Sequence, residues 1–419
     1  MLTTSRTLSI LIALNTLALA TGCRRQNDGA YKFEAAPRAV IAQVGLSPSR
    51  SASVAADFTS SPAVHILALV GESGKTRLAM LNSKDGGNTF GSPVWVSQEG
   101  HPVSSGGENS PALASTANGI YAAWGEGADI RFARSVSQGS NFEKPIKITD
   151  KKSESFSGYP SIGVAPNQDV YVVWIDTRDR VGTSVDNYAI YMARSTDHGV
   201  SFGKNIRVAV RVCQCCRPTL SFGPHGEVMV FWRHIYPGTI HDMTVAVTMD
   251  EGITFSPAKR VAADNWKIDG CPNSGPAVAR SGNRVYVAWL TDASPEISGV
   301  RLTWSDDGGK TWAAAVKGSQ AILNANHPAM SVAEDGRVTL VFEGCDPRVP
   351  ESGEQTSVFA VEIGTSGKLS APTEIRGIAS PASIPTVASG TGGRVFVAWT
   401  GAREGTKSVF LSRATREAE

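Results

Sequence analysis

The clearest regularity along the chain is a short apolar segment that returns seven times. It reads Ile66-Leu-Ala-Leu-Val70, Ile120-Tyr-Ala-Ala-Trp124, Val170-Tyr-Val-Val-Trp174, Val228-Met-Val-Phe-Trp232, Val285-Tyr-Val-Ala-Trp289, Val338-Thr-Leu-Val-Phe342 and Val395-Phe-Val-Ala-Trp399. β-Branched and aromatic residues dominate, and each run is too short for a helix, so the pattern predicts a buried strand. Successive final residues lie 54, 50, 58, 57, 53 and 57 positions apart. A repeat of about 55 residues holds four short strands and their turns, one propeller blade.

Two further markers keep the same period. Pro111, Pro160, Pro218, Pro276, Pro328 and Pro385 each stand 13 or 14 residues before the end of the apolar segment. Proline has no N–H and is tolerated at the first residue of a strand, so each marks where an inner strand begins. The first unit lacks this proline, as a terminal repeat can. The other marker is Ser83-Lys-Asp-Gly-Gly-Asn-Thr-Phe90, Ser195-Thr-Asp-His-Gly-Val-Ser-Phe202, Thr248-Met-Asp-Glu-Gly-Ile-Thr-Phe255 and Ser305-Asp-Asp-Gly-Gly-Lys-Thr-Trp312, with a worn copy at Ser135–Phe142. Here Asp accepts bonds from turn amides, Gly supplies positive φ and the aromatic anchors a hairpin between strands three and four.

This S-x-D-x-G-x-T-F/W pattern resembles the Asp-box (BNR) repeat of sialidase-like propellers over about residues 37 to 415. Turn chemistry accounts for Asp85, Asp197, Asp250 and Asp307 as structural residues. The expected fold is an all-β, seven-bladed β-propeller; sialidases have six blades, the alternative. Blades are expected at about 50–98, 109–150, 159–210, 217–263, 275–318, 327–376 and 384–415, with residues 37–45 returning to complete the last blade and remove exposed edges.

Composition fits such a body: 41% hydrophobic, 19% charged, 42 Gly and 22 Pro describe a turn-rich globular chain. A net charge of +2 gives no footprint for nucleic acid. The N-terminus is different. Arg6 precedes an apolar run, Leu8 to Ala20, of signal-peptide length, and Ala20-Thr21-Gly22-Cys23 resembles the lipobox of bacterial lipoproteins, with Ala20 where that family usually has Leu. The resemblance implies residues 1–23 as a lipoprotein signal peptide, lipid on Cys23, a tether over 24–36 and a place in the bacterial cell envelope. Arg24, where inner-membrane lipoproteins often carry Asp, points to the outer membrane. Lipid on Cys23 would make the membrane a partner without a spanning helix.

The chemistry-bearing residues gather in the blade linkers and the loops between strands two and three, which share the face opposite the Asp boxes. They include Cys213, Cys215, Cys216 and Arg217 before Pro218, Cys271 before Pro272, Cys345 near the end of an apolar segment, and Arg233, His234, Tyr236, His241 and Asp242. Tyr159 and His327 precede prolines and are expected to aim at the central opening; Asp176, Arg178, Asp179 and Arg180 form a charged loop.

Beyond Cys23 five cysteines remain, an odd number in an oxidising compartment. Three uses stay open: one or two disulfide staples, for instance Cys271 with one of Cys213–Cys216; a copper or zinc site; or thiol redox chemistry. Three functions follow. The first is recognition of a glycan, peptide or protein, with Arg217, Arg233, His234, His327 and Asp176 as binding residues. The second is thiolate metal binding. The third, implied by the sialidase resemblance, is glycoside hydrolysis with Arg178, Arg217 and Arg233 on a sugar carboxylate, Tyr159 or Tyr236 as nucleophile and Asp179 as acid. The family's Arg-Ile-Pro motif near the first blade is absent.

Overall fold

The computed structural model describes residues 31–416 apart from 35, 41–47, 58–62, 72–74, 105, 153, 181–187, 349–355, 376–380 and 404–405. Cys23 and the signal segment lie outside the described residues. Six four-stranded antiparallel sheets follow one another in chain order. Blade 1 holds β3 (Pro48–Asp57) to β6 (Val94–Trp95), and blade 2 holds β7 (Ala112–Thr116), β8 (Gly119–Glu126), β9 (Asp129–Ser135) and β10 (Ile146–Lys147). Blade 3 runs from β11 (Ser157–Val164) through β12 (Val170–Asp176) to β14 (Ile206–Val210), and blade 4 from β15 (Thr219–Phe222) through β16 (Val228–Tyr236) to β18 (Lys259–Arg260). Blade 5 spans β19 (Ala277–Ser281) to β22 (Val316–Lys317), and blade 6 spans β23 (Leu323–Val332), β24 (Val338–Cys345), β25 (Ser357–Ile363) and β26 (Thr373–Ile375).

The seventh blade takes strands from both ends of the chain. Its β27 (Ser383–Ser389), β28 (Arg394–Arg403) and β29 (Thr406–Arg416) are completed by β1 (Tyr31–Phe33) and β2 (Arg38–Ala39), which both pair with β29. Tyr31 stands opposite Arg416 and Ala39 opposite Phe410. Closure therefore starts earlier than residues 37–45: residues 31–33, read from sequence as tether, are already in the sheet. Residues 41–45 of the expected strand lie outside the described residues.

The near-continuous apolar runs are explained by burial on both faces. Along β12, Val170, Val172 and Trp174 pack toward blade 2, while Tyr171, Val173 and Ile175 pack toward blade 4. The side chains alternate, but each face meets a neighbouring sheet, so no polar face is left. Seven such clusters exist, one in every gap, including that between blades 7 and 1. Trp124, Trp174, Trp232, Trp289 and Trp399 are fully buried within them.

The Asp boxes make the expected turns. Asp197 Oδ1 accepts from Ser195 Oγ (2.7 Å) and Ser201 N (2.9 Å), and Ser195 Oγ accepts from Gly199 N (2.8 Å). Asp85, Asp250 and Asp307 repeat this geometry, and the hydrogen bonds hold all four carboxyls below the usual range. The aromatic does more than anchor its own hairpin. Phe90, Phe202, Phe255 and Trp312 each pack into the cluster shared with the preceding blade.

The box glycine sits at the same seam. Gly199 has φ 83°, and a Cβ there would lie 2.7 Å from the Phe132 ring of blade 2. Gly226 has φ +88° but opens onto empty space. Replacing Gly199 by Ala is expected to destabilise by about 1–3 kcal/mol beyond Gly226→Ala, because only the former adds a steric clash to the backbone strain. Chemical denaturation of the two variants measures the difference.

Candidate functional site

In each blade the chain runs inward-strand first, so the linkers and the loops between strands two and three open on one face and the Asp boxes on the other. On the linker face the inner strands begin with irregular pairing. The register of β11 with β12 shifts between Gly158 and Ser161, that of β23 with β24 between Asn326 and Ala329, and that of β27 with β28 between Ser383 and Thr386. These bulges coincide with Tyr159-Pro160, His327-Pro328 and Ile384-Pro385. Tyr159 (φ 58°), His327 (φ 46°) and Ile384 (φ 51°) all adopt the left-handed region. Such bulges re-aim side chains and leave backbone amides without ladder partners.

Those amides turn to side chains from other blades. Asn109 Oδ1 accepts from Tyr159 N (2.7 Å), and Glu343 Oε2 accepts from Ile384 N (2.6 Å). Glu108 Oε2 accepts from Arg217 N (2.9 Å) and Gly275 N (2.7 Å), tying blades 4 and 5 together. Arg217 donates its side chain back to the carbonyls of Glu108 and Ser110. His327 bridges Glu343 Oε1 (2.8 Å) and the carbonyl of Asn273 (2.9 Å). The linker into blade 2 therefore reaches across to blades 4 and 5; a Cβ on Gly107 would collide with the Asn273 side chain of blade 5. The central opening expected from sequence is a polar knot.

Burial pushes Glu108 up and lowers Arg217, while the Glu343 hydrogen bond and charge, with Glu108 nearby, outweigh burial and raise His327 to about 9. His327 is thus an imidazolium at neutral pH.

Beside this knot lies the sulfur group. Cys215 and Cys271 form a disulfide linking the entries to blades 4 and 5. Cys213 Sγ is 3.8 Å from Cys271 Sγ and 3.3 Å from Cys216 Sγ. Cys213, Cys215 and Cys216 are buried, and Ile235 and Tyr159 pack on them. The ligand atoms of Cys213, Cys215 and Cys271 fall within 4.8 Å of one another. Cys345 is not in this group: it ends β24 opposite Leu323, in blade 6. The hydrogen bond from Cys216, against burial and helped by His241 and Arg233, lowers Cys213 to about 5; burial raises Cys216.

Arg233 is completely buried and donates to the carbonyls of Ser274 (3.0 Å), Leu290 (2.8 Å) and His241 (3.3 Å), facing no carboxylate among the described residues. Its neighbour His234 points the other way, 4.5 Å from the Tyr236 ring, and burial lowers it to about 4. Tyr236 shares a hydrogen bond with Thr244 (2.8 Å). Asp176 is buried and accepts from Ser157, Trp174 and Arg178; Arg178 also reaches Asp150 and lies 3.9 Å over Tyr191. Asp179 accepts from Tyr191 and Arg207. This blade 3 cluster is internally paired. Of the residues singled out from sequence, the structure brings together Cys213, Cys215, Cys216, Cys271 and Tyr159, with Arg217 and His327 in the adjoining knot. It keeps Asp176, Arg178, Asp179, His234, Tyr236 and Cys345 out of the sulfur group.

Sequence reasoning passed over Glu108, Asn109 and Asn273. One signal was present: Glu108 and Asn273 each lie three residues before an inner-strand proline.

No family model and no curated protein matches the sequence. Among solved structures the chain is similar to a protein of unknown function from Dyadobacter fermentans, at 14% identity and TM-score 0.53 over 73% of this chain and 94% of that one. It is similar to an α-L-arabinanase from Penicillium chrysogenum at 13% identity and TM-score 0.51, over 72% and 92%. An intramolecular trans-sialidase from Ruminococcus gnavus overlaps 90% of this chain and 97% of its own, at 12% identity and TM-score 0.47. The fold is an all-β propeller. These likenesses concern the fold alone, and this propeller has seven blades.

Because the folded state raises His327 above its ordinary value near 6.5, its contribution is complete below that pH and disappears as pH climbs through about 9. Wild type is expected to lose up to about 3 kcal/mol over that window. His327→Gln is expected to flatten the profile, as denaturant titrations from pH 6 to 9.5 would measure.

Proposed function

We propose that this chain is a lipid-anchored envelope propeller that recognises a ligand on its linker face and does not hydrolyse it. The N-terminal Cys23 motif supports the anchor and the location. The observation that carries the binding reading is how the arginines are used. Arg178, Arg217 and Arg233 all bond to groups of the propeller itself, so none is presented as a free clamp for a sugar carboxylate. A nucleophilic tyrosine needs a lowered phenol; burial and nearby Cys216 and Glu108 raise Tyr159. Asp179 serves Tyr191 and Arg207.

A different part of the same face is open. A recess of about 330 Å³ lies between blade 7 and the linker into blade 2, lined by Gly107, Ser383, Ile384, Thr400 and the exposed Lys407. Lys407 is its cation, which favours an acidic glycan or peptide. Binding of the full chain to arrays of acidic and neutral glycans and peptides tests this reading. Acidic probes are expected to bind, and Lys407→Glu to weaken them at least tenfold, about 1.4 kcal/mol. Unchanged binding in that variant contradicts the recess, and fluorophore release from a sialoside reporter contradicts the non-hydrolytic reading.

A further inference from the structure

We infer that the sulfur group between the entries to blades 4 and 5 is a site for a soft, thiophilic cation, copper(I) or zinc(II), held by Cys213, Cys215, Cys216 and Cys271 with His241 alongside. The inference does not depend on what the recess near Lys407 binds. Its first support is convergence. Three of these cysteines come from one linker and the fourth from the next, so only the propeller's packing brings them together. A tetrahedral ion about 2.3 Å from each thiolate spaces its sulfurs about 3.8 Å apart. Cys213 and Cys271 stand 3.8 Å apart and Cys213 and Cys216 3.3 Å apart.

The second support is independent of the cysteines. His241 is 5% exposed, stands opposite Ile235, which packs on the cysteines, and keeps its Nδ1 buried without a hydrogen-bond partner. A buried imidazole nitrogen left unsatisfied is costly in a structural role and useful beside a metal. Sulfur and imidazole together suit copper(I) and zinc(II) and disfavour magnesium or calcium, which take oxygen ligands. Arg233, buried at the same place with carbonyl hydrogen bonds and the Trp266 ring as its partners, gains a compensating negative charge from a thiolate cluster.

With Cys215 and Cys271 joined, Cys213, Cys216 and His241 remain as a smaller donor set. Opening the disulfide takes two electrons from an external dithiol, which itself becomes a disulfide, while Cys215 and Cys271 are released as thiols. Binding the ion then displaces thiol protons to solvent. Disulfide closure is therefore an off state for the full site.

The test uses the full chain in detergent, titrated anaerobically with copper(I) or zinc(II) against a competing chelator, before and after treatment with a dithiol reductant. Reduced wild type and Cys345→Ser are expected to bind one equivalent, and the oxidised protein to bind more weakly. Loss of Cys213 and Cys216 to Ser is expected to cost at least about 100-fold, the upper end for losing a mere supporting partner. Equal affinity in that double variant, or no binding by reduced wild type, overturns the site. If the double variant fails to fold, cobalt(II) substitution of reduced wild type decides. Thiolate-to-cobalt charge-transfer bands that shift in His241→Ala support the site, and their absence overturns it.

Discussion

A propeller of this kind stands on ring closure. Each second strand is apolar on both faces, so every blade needs a neighbour on either side, and an open array would expose a sheet face at each end. The two ends of the chain prevent this. Tyr31, fully buried, packs in the gap between blades 6 and 7 and hydrogen-bonds to Thr339 (2.6 Å); Val40 packs in the gap between blades 7 and 1. Between them Glu34 accepts from Arg413 (2.6 Å). About ten residues thus complete both seams of the last blade.

Closure creates the linker face and sets its chemistry. Bulges at the inner-strand prolines leave amides that cannot join a ladder, and buried amides must be satisfied. Asn109 and Glu343 accept the amides of Tyr159 and Ile384, Glu108 accepts the linker amides of Arg217 and Gly275, and Arg217 and His327 balance the carboxylates. Side chains that would suit ligand capture are thereby committed to holding blades together. What remains uncommitted on that face is the thiols of Cys213 and Cys216, beside the Cys215–Cys271 disulfide and the buried His241.

Much of the fold was legible because its signals repeat. Val170–Trp174, Pro160 and the Asp197 box recur in step, and all three arise from one cause, a blade packed between two others. The Asp carboxylates were correctly readable as turn residues, since their partners lie within four positions. The site was legible only where spacing was local: Cys213, Cys215 and Cys216 share a linker, and Cys271 occupies the corresponding linker of the next blade. Cys345 sits one blade further on, at a strand end, and period alone could not separate it from the others. Arg233 was misleading for a related reason. Side chains alternate along β16, and only the positions of Ser274 and Leu290 show that it faces blade 5 and its carbonyls. Glu108 carries one local mark, its place three residues before Pro111, but its role depends on a linker that crosses the mouth.

The claim that closure organises the distant face is open to one direct measurement, native-state hydrogen exchange on the intact chain and on a variant lacking residues 31–39. If the two ends hold a single cooperative ring, protection falls throughout, including the amides of Arg217 and Gly275 on blades 4 and 5. Faster exchange confined to β27–β29, with those two amides as protected as before, would contradict it.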